Sequence, residues 1–194
     1  RVVTLRELGA LYEGPLKDST RAFERYLEAF RLDPVEPASI EDLERAAEPA
    51  NRWADVVSNL TEVLSTYSLN LQTDVLLRLR LAATLSSRLG RVDDAIARYR
   101  EVLQAAPENL DALHAIEALL RSTGRWADLL GVLDQRLELA SEPEDRRALL
   151  YDIARLCENE LNNPERAVDT NIAIVTEFGD EVEALEALDR LYEK

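Results

Sequence analysis

Residues 76–109 read LLRLRLAATLSSRLGRVDDAIARYREVLQAAPEN. Leu77, Leu81, Leu85 and Leu89 step by four, so they share one face of a helix. Gly90 follows directly, where a helix end needs a left-handed residue. From Arg91 to Ala105, the residues Ala95, Ile96, Tyr99, Val102 and Leu103 again fall three and four apart, and Pro107 stops that helix. The stretch is therefore a helix hairpin. Each of its helices is apolar along one side, and a single hairpin cannot bury that side alone.

Outward from this hairpin the same pattern recurs. Asn51-Arg52-Trp53-Ala54-Asp55-Val56-Val57 returns as Gly124-Arg125-Trp126-Ala127-Asp128-Leu129-Leu130, 73 positions later. Arg21-Ala22-Phe23-Glu24-Arg25-Tyr26 returns as Asp94-Ala95-Ile96-Ala97-Arg98-Tyr99 at the same offset, which also carries Pro34 onto Pro107. A third copy lies 72 positions further, where Arg166-Ala167-Val168 matches and Gly179 takes the proline slot. Leu77, Leu81, Leu85 and Leu89 map onto Leu149, Ile153, Cys157 and Leu161, and Ala112-Leu113 onto Ala184-Leu185. Each unit splits into two halves of helix–turn–helix size. Asn109 caps a helix with the buried stripe Leu113, Ile116, Leu119 and Leu120, which Gly124 ends. Thr4 with Glu7, and Ser141 with Glu144, have the spacing of capping boxes. The pattern predicts eleven helices, starting near residues 4, 16, 38, 51, 71, 91, 109, 125, 143, 164 and 181. Links of two to four residues make neighbours antiparallel. Residues 1–14 and 181–194 each read as one helix without a partner or cap, so Leu185, Leu188 and Tyr192 are expected to be partly exposed.

Ala83, Gly90, Ala95, Tyr99 and Pro107 give residues 76–109 a resemblance to the tetratricopeptide repeat. Residues 110–141 keep Gly124 but carry Leu129, Leu133 and Ser141 in place of the alanine, aromatic and proline. Residues 147–181 keep Ala154 and Ala167, with Asn162 near the glycine slot and Gly179 in the proline slot. Glu117 stands in a slot that is normally small, so its helix pair should pack less closely. The resemblance covers the whole chain. It implies an all-α, right-handed superhelical solenoid of antiparallel helix pairs, a single repeat domain over residues 1–194. It further implies a concave face, formed by the first helix of each pair, that binds an extended peptide or a partner protein.

Composition restricts function independently. Of 194 residues, 46% are hydrophobic and 31% charged, a folding composition. Acidic residues number 38 against 23 basic ones, a net charge of −15. Nucleic acid and anionic membrane surfaces both require a basic stripe, so neither is an expected partner. No apolar run approaches the ~20 residues of a membrane span. One cysteine and one histidine leave no disulfide framework and no expected metal site. The sequence contains no methionine, which suggests an interior piece of a longer protein, and all but two basic residues are arginine, the bias of a GC-rich bacterial genome. The expected localisation is soluble, with the cytoplasm favoured.

No phosphate-binding glycine loop, His-Glu-x-x-His or Cys-x-x-Cys is present, so no catalytic residue, cofactor or metal is expected. His114 lies opposite the apolar stripe of its helix, in a row with Asp111, Ala118 and Arg121; it reads as a surface or groove residue rather than a general base. Cys157 fills the slot of Leu85 and reads as a core hydrophobe. Trp53 and Trp126 hold equivalent helix starts and read as packing anchors. The Asn59-Leu60-Thr61 triplet lies mid-helix and carries no weight as a glycosylation acceptor. The best candidates lie on the first helices: Arg80, Thr84, Ser87 and Arg88; His114 and Arg121; Asp152, Arg155 and Asn159. Arginine forks take carboxylates bidentately, which points to an acidic peptide or C-terminus as ligand. The competing reading is a solvated face with local ion pairs such as Asp152 with Arg155. Two functions follow: a non-enzymatic peptide-binding module, or a structural spacer within a larger assembly.

Overall fold

Five residues of positive φ turn the chain within its hairpins, Lys17 (51°), Asn51 (53°), Gly90 (64°), Gly124 (65°) and Asn162 (48°), and a sixth, Gly179 (88°), follows the last hairpin. Each of the five stands between the first (A) and second (B) helix of a pair. The computed structural model describes residues 1–193, which contain eleven α-helices and no strand. They are α1 (Val2–Glu13), α2 (Ser19–Leu32), α3 (Pro37–Ala50), α4 (Trp53–Thr66), α5 (Leu71–Ser87) and α6 (Val92–Ala105), then α7 (Leu110–Ser122), α8 (Trp126–Leu139), α9 (Pro143–Asn159), α10 (Pro164–Phe178) and α11 (Val182–Tyr192). All eleven starts fall within three residues of expectation. Links span two to four residues, except the five between α1 and α2. The chain divides into two units, Arg1–Pro107 and Glu108–Lys194.

The A-to-B turns come in two alternating kinds. After α1, α5 and α9 the chain closes with a bond six residues back: Asp18 N to Tyr12 O, Arg91 N to Leu85 O and Asn163 N to Cys157 O, each 2.8 Å. After α3 and α7 it closes five back, Arg52 N to Ala47 O and Arg125 N to Leu120 O, each 3.0 Å, the bond of a Schellman end. This alternation is the physical basis of the long sequence period: one unit of the repeat is two unlike hairpins. Asn162 takes the left-handed slot of Gly90, as the alignment requires.

Helix starts depart from expectation at two places. The spacings Thr4/Glu7 and Ser141/Glu144 form no capping box: α1 begins at Val2 and α9 at Pro143, neither with a side-chain cap. Pro143 has its φ preset for a first turn and no N–H to cap, so it fixes the start. Side-chain caps come instead from Asp18, Asn70, Asn109 and Asn163.

In the first unit, Phe23, Tyr26, Phe30, Leu43, Leu60, Leu77, Leu81 and Ile96 form the buried interior. α1 is not a lone helix: it packs on α2, where Gly9 lets the ring of Tyr26 lie against its backbone. A Cβ at residue 9 would meet that ring at 2.5 Å. In the second unit, Leu113, Ile116, Leu120, Leu129, Leu133, Ile153 and Cys157 are fully enclosed. α7 and α8 approach less intimately than α9 and α10, as Glu117 in the small slot predicts. Glu117 is nevertheless satisfied, accepting from Arg136 of α8 and from Arg121 one turn on. α11 packs on α10 and leaves Leu185 and Tyr192 exposed.

Candidate binding groove

The candidate arginines are paired, each with a carboxylate on a neighbouring A helix, and Arg121 also with Glu117 on its own. Arg80 of α5 donates to Glu44 of α3 at 2.6 Å. Arg88, at the end of α5, pairs with Glu48 of α3 at 3.3 Å and lies over the ring of Trp53, 4.9 Å from its centre. Arg121 of α7 donates to Asp152 of α9 at 2.9 Å, and Arg155 of α9 to Glu183 of α11 at 2.5 Å. The local pair expected between Asp152 and Arg155 does not form as a direct bond. The reason is geometric: carboxylates on a neighbouring A helix lie opposite the guanidinium forks. With Arg6 to Asp42 and Arg45 to Glu13, both between α1 and α3, these bonds tie successive A helices within each unit.

The other candidates divide by exposure. Thr84 is buried and donates its hydroxyl to the Arg80 carbonyl at 2.9 Å, so it packs rather than presents. Ser87 is exposed, its hydroxyl on the Ala83 carbonyl at 2.6 Å. His114 is exposed and lines a cavity of about 310 Å³ with Leu110, Arg136, Ser141, Asp145 and Leu149. No bond joins it to Ser141 or Asp145 among the described residues, and the site carries no nucleophile–base pair. Asn159 lines a second cavity, of about 320 Å³, with Arg155, Glu158, Asn171, Glu183 and Arg190. No cluster of metal-ligating side chains occurs among the described residues. No helix among them is long and apolar enough to cross a membrane.

Cys157 is fully buried, and burial raises its thiol pKa, which matches a packing role. Trp53 donates its indole N–H to Glu48 at 2.7 Å while Arg88 covers its face, so the ring bridges α3, α4 and α5. Asn59 is buried, its carboxamide accepting from Arg31 and donating to the Asp55 carbonyl, and that burial closes it to a glycan.

The most informative residue was not among the candidates. Tyr26, Tyr99 and Asn171 hold one repeat position, at offsets of 73 and 72. Tyr26 donates to Glu13 at 2.8 Å, and Arg45 grips the same carboxylate with Nε at 2.9 Å and Nη2 at 3.0 Å. Burial and the Glu13 bond push the Tyr26 hydroxyl up to about 12, while Arg45 and Tyr26 hold Glu13 below the usual carboxylate range. A cavity opens beside Tyr26, about 340 Å³, and another beside Asn171, about 320 Å³.

The tetratricopeptide repeat family model matches residues 77–113 and 112–147. None of the curated proteins matches the sequence. Among solved structures, a TPR repeats protein from Bacteroides fragilis aligns over 100% of this chain and 98% of its own, at 14% identity and a TM-score of 0.60. A tetratricopeptide repeat protein from Parabacteroides merdae covers 99% of this chain and 72% of its own, at 19% identity and a TM-score of 0.54. YrrB, described as a TPR protein with an unusual peptide-binding site, covers 97% and 92% at 14% identity and 0.51. At these identities the likeness is one of fold.

Proposed function

We propose that this chain, a tetratricopeptide-type helical repeat array of the kind that generally serves protein–protein interaction, binds a partner protein or peptide along its A-helix faces. The observation that carries the reading is the half-exposed arginines of the A helices, Arg80 and Arg88 in the first unit and Arg121 and Arg155 in the second. Ser87, His114, Asp152 and Asn159 lie on the same helices. Exposed ion pairs contribute only ~0.2–1 kcal/mol each, so a ligand carboxylate can exchange for the resident one at little cost. An acidic peptide is the ligand this chemistry suits, in a chain whose net charge of −15 otherwise repels one. YrrB offers a precedent for peptide recognition on this fold. Nucleic acid and membrane insertion have no part in the reading, and no cofactor or catalysis does.

The same arginines support a second reading. Because each ties its A helix to a neighbouring one, they also stiffen each unit, as a structural spacer in a larger assembly would need. Affinity capture separates the two. The native chain serves as bait beside a variant with Arg80→Glu, Arg88→Glu, Arg121→Glu and Arg155→Glu, and a neutral variant with glutamine at the same positions. Helicity of each bait is confirmed by circular dichroism. A partner held by the native chain, weakened by glutamine and lost with glutamate supports groove binding. Identical recovery by all three folded baits refutes it and favours the spacer.

A further inference from the structure

The cleft between α9 and α11 carries an excess of negative charge and of hydrogen-bond acceptors. Its charged walls are Glu158, Glu183 and Glu186 against Arg155 and Arg190, which leaves one carboxylate over. Arg190 is committed to Glu158 through Nε at 3.0 Å and Nη2 at 2.8 Å, and Arg155 to Glu183 at 2.5 Å. Glu186 forms no ion pair among the described residues, and Arg190, the cation that feels its charge, is already taken. On α10 stands Asn171, 3% exposed, with its amide nitrogen bonded to the Ala167 carbonyl at 2.8 Å. Its carboxamide oxygen accepts no hydrogen bond among the described residues and borders the cavity. A buried oxygen of this kind costs free energy until a donor reaches it. The first cleft differs at this point. There Tyr26 holds the position of Asn171, and its hydroxyl donates to Glu13 at 2.8 Å and accepts from Arg45 at 3.2 Å, so the buried polar group is satisfied.

We propose that this cavity takes the ammonium group of a lysine presented by the partner. The proposal rests on the reading of the A-helix faces as a binding surface, and it adds one basic residue to the acidic ligand at this cleft. A ligand carboxylate that takes Arg155 releases Glu183, which then stands three residues from Glu186 on one helix, two like charges without a counterion. An ammonium supplies what is missing. It has three donors and no acceptor, which suits two carboxylates and the Asn171 oxygen. Its four-carbon stem lies against Ala154, Ala187 and the ring of Tyr151, the apolar wall of the same cavity. The volume, about 320 Å³, is at the lower end of small-ligand sites and admits one such side chain. A neutral stem of the same length fills the space and leaves all three acceptors without a donor, so the charge is the discriminating feature.

The test is a titration of the isotopically labelled chain with N-acetyl-lysine amide, followed by amide chemical shifts, with N-acetyl-norleucine amide as the neutral comparison. Saturable shifts at Ala154, Ala187 and the Asn171 carboxamide are expected with lysine, and the norleucine amide should bind about tenfold more weakly. Asn171→Leu should weaken lysine about tenfold, as loss of a bond to a charged donor implies. Glu186→Gln, an exposed change that keeps the shape, should weaken it about threefold, within the range of an exposed ion pair, and covers the case of a poorly folded Asn171→Leu. Glu7→Gln, in the cavity of the first cleft, should change nothing. No saturable response to lysine, equal affinity for norleucine, or an undiminished response in both cleft variants overturns the proposal. So does a response that Glu7→Gln weakens as much as Glu186→Gln, because it then reports the charge of the whole chain. Partner capture that depends on the four arginines, beside a failed lysine titration, sinks this proposal alone. A lysine response that passes these controls without arginine-dependent capture supports the cavity and removes the groove reading.

Discussion

Gly9→Ala should destabilise the protein, although alanine is the better helix former. In an open helix interior the exchange gains ~1 kcal/mol. At residue 9 the added Cβ would lie 2.5 Å from one Tyr26 ring carbon and 2.8 Å from two others. The ring cannot swing away: it is 1% exposed, and Glu13 and Arg45 hold its hydroxyl. α1 must therefore move off α2, and overpacking of this kind costs ~1–3 kcal/mol. The net expectation is ~1 kcal/mol of destabilisation, with a range from neutral to ~2, or a few degrees in melting temperature for a chain of this size. Gly131→Ala in α8 is the control, because nothing lies within 4 Å of a Cβ there; it should gain the full helix-propensity increment. Urea titrations of both variants, and of each paired with Tyr26→Leu, complete a double-mutant cycle. With the ring removed, Gly9→Ala should become stabilising. If Gly9→Ala equals Gly131→Ala in the native background, or if Tyr26→Leu leaves its effect unchanged, the close approach does not govern the α1–α2 pair.

Other consequences are as direct. Lys17 adopts φ 51° in the slot where Gly90 adopts 64°, so Lys17→Gly should raise stability by up to ~1 kcal/mol and Gly90→Ala should lower it by ~1, both measured by thermal melts. The Tyr26 hydroxyl has its pKa raised, so its contribution is complete below pH 10, the ordinary tyrosine value, and is lost as pH rises through about 12; Tyr26→Phe should flatten that alkaline limb of the stability profile. Cys157 should resist thiol reagents in the folded protein and react once urea opens the second unit; rapid labelling of the native chain would contradict its burial.

How far the sequence reached depended on the distance between cause and effect. Helix faces are local, and the steps of Leu77, Leu81, Leu85 and Leu89 gave a helix at once. Left-handed turns are local too, and Gly90, Gly124 and Asn162 revealed them; Lys17 did not, because lysine rarely takes that conformation. The pairing of α1 with α2 turns on a contact between Gly9 and Tyr26, across the longest of the links, and no periodicity encodes it. The arginines were visible, but their partners on neighbouring A helices stand 28 to 40 residues away, where a reading along one helix finds none of them. The offsets that align Ala22, Ala95 and Ala167 also place Asn171 under Tyr26 and Tyr99, but what each position touches becomes visible only when the surrounding helices are in place.

The alternation of turns sets a rule for lengthening or shortening the molecule. Adding or removing one hairpin would set two turns of the same kind side by side and bring together helix faces that do not normally meet. Adding or removing two hairpins, 72 or 73 residues, returns every turn to its own sort of neighbour. The tolerated currency of duplication and deletion in such a chain is thus four helices. Engineered variants cut to that length should melt cooperatively, where those cut to half of it should fray at the join.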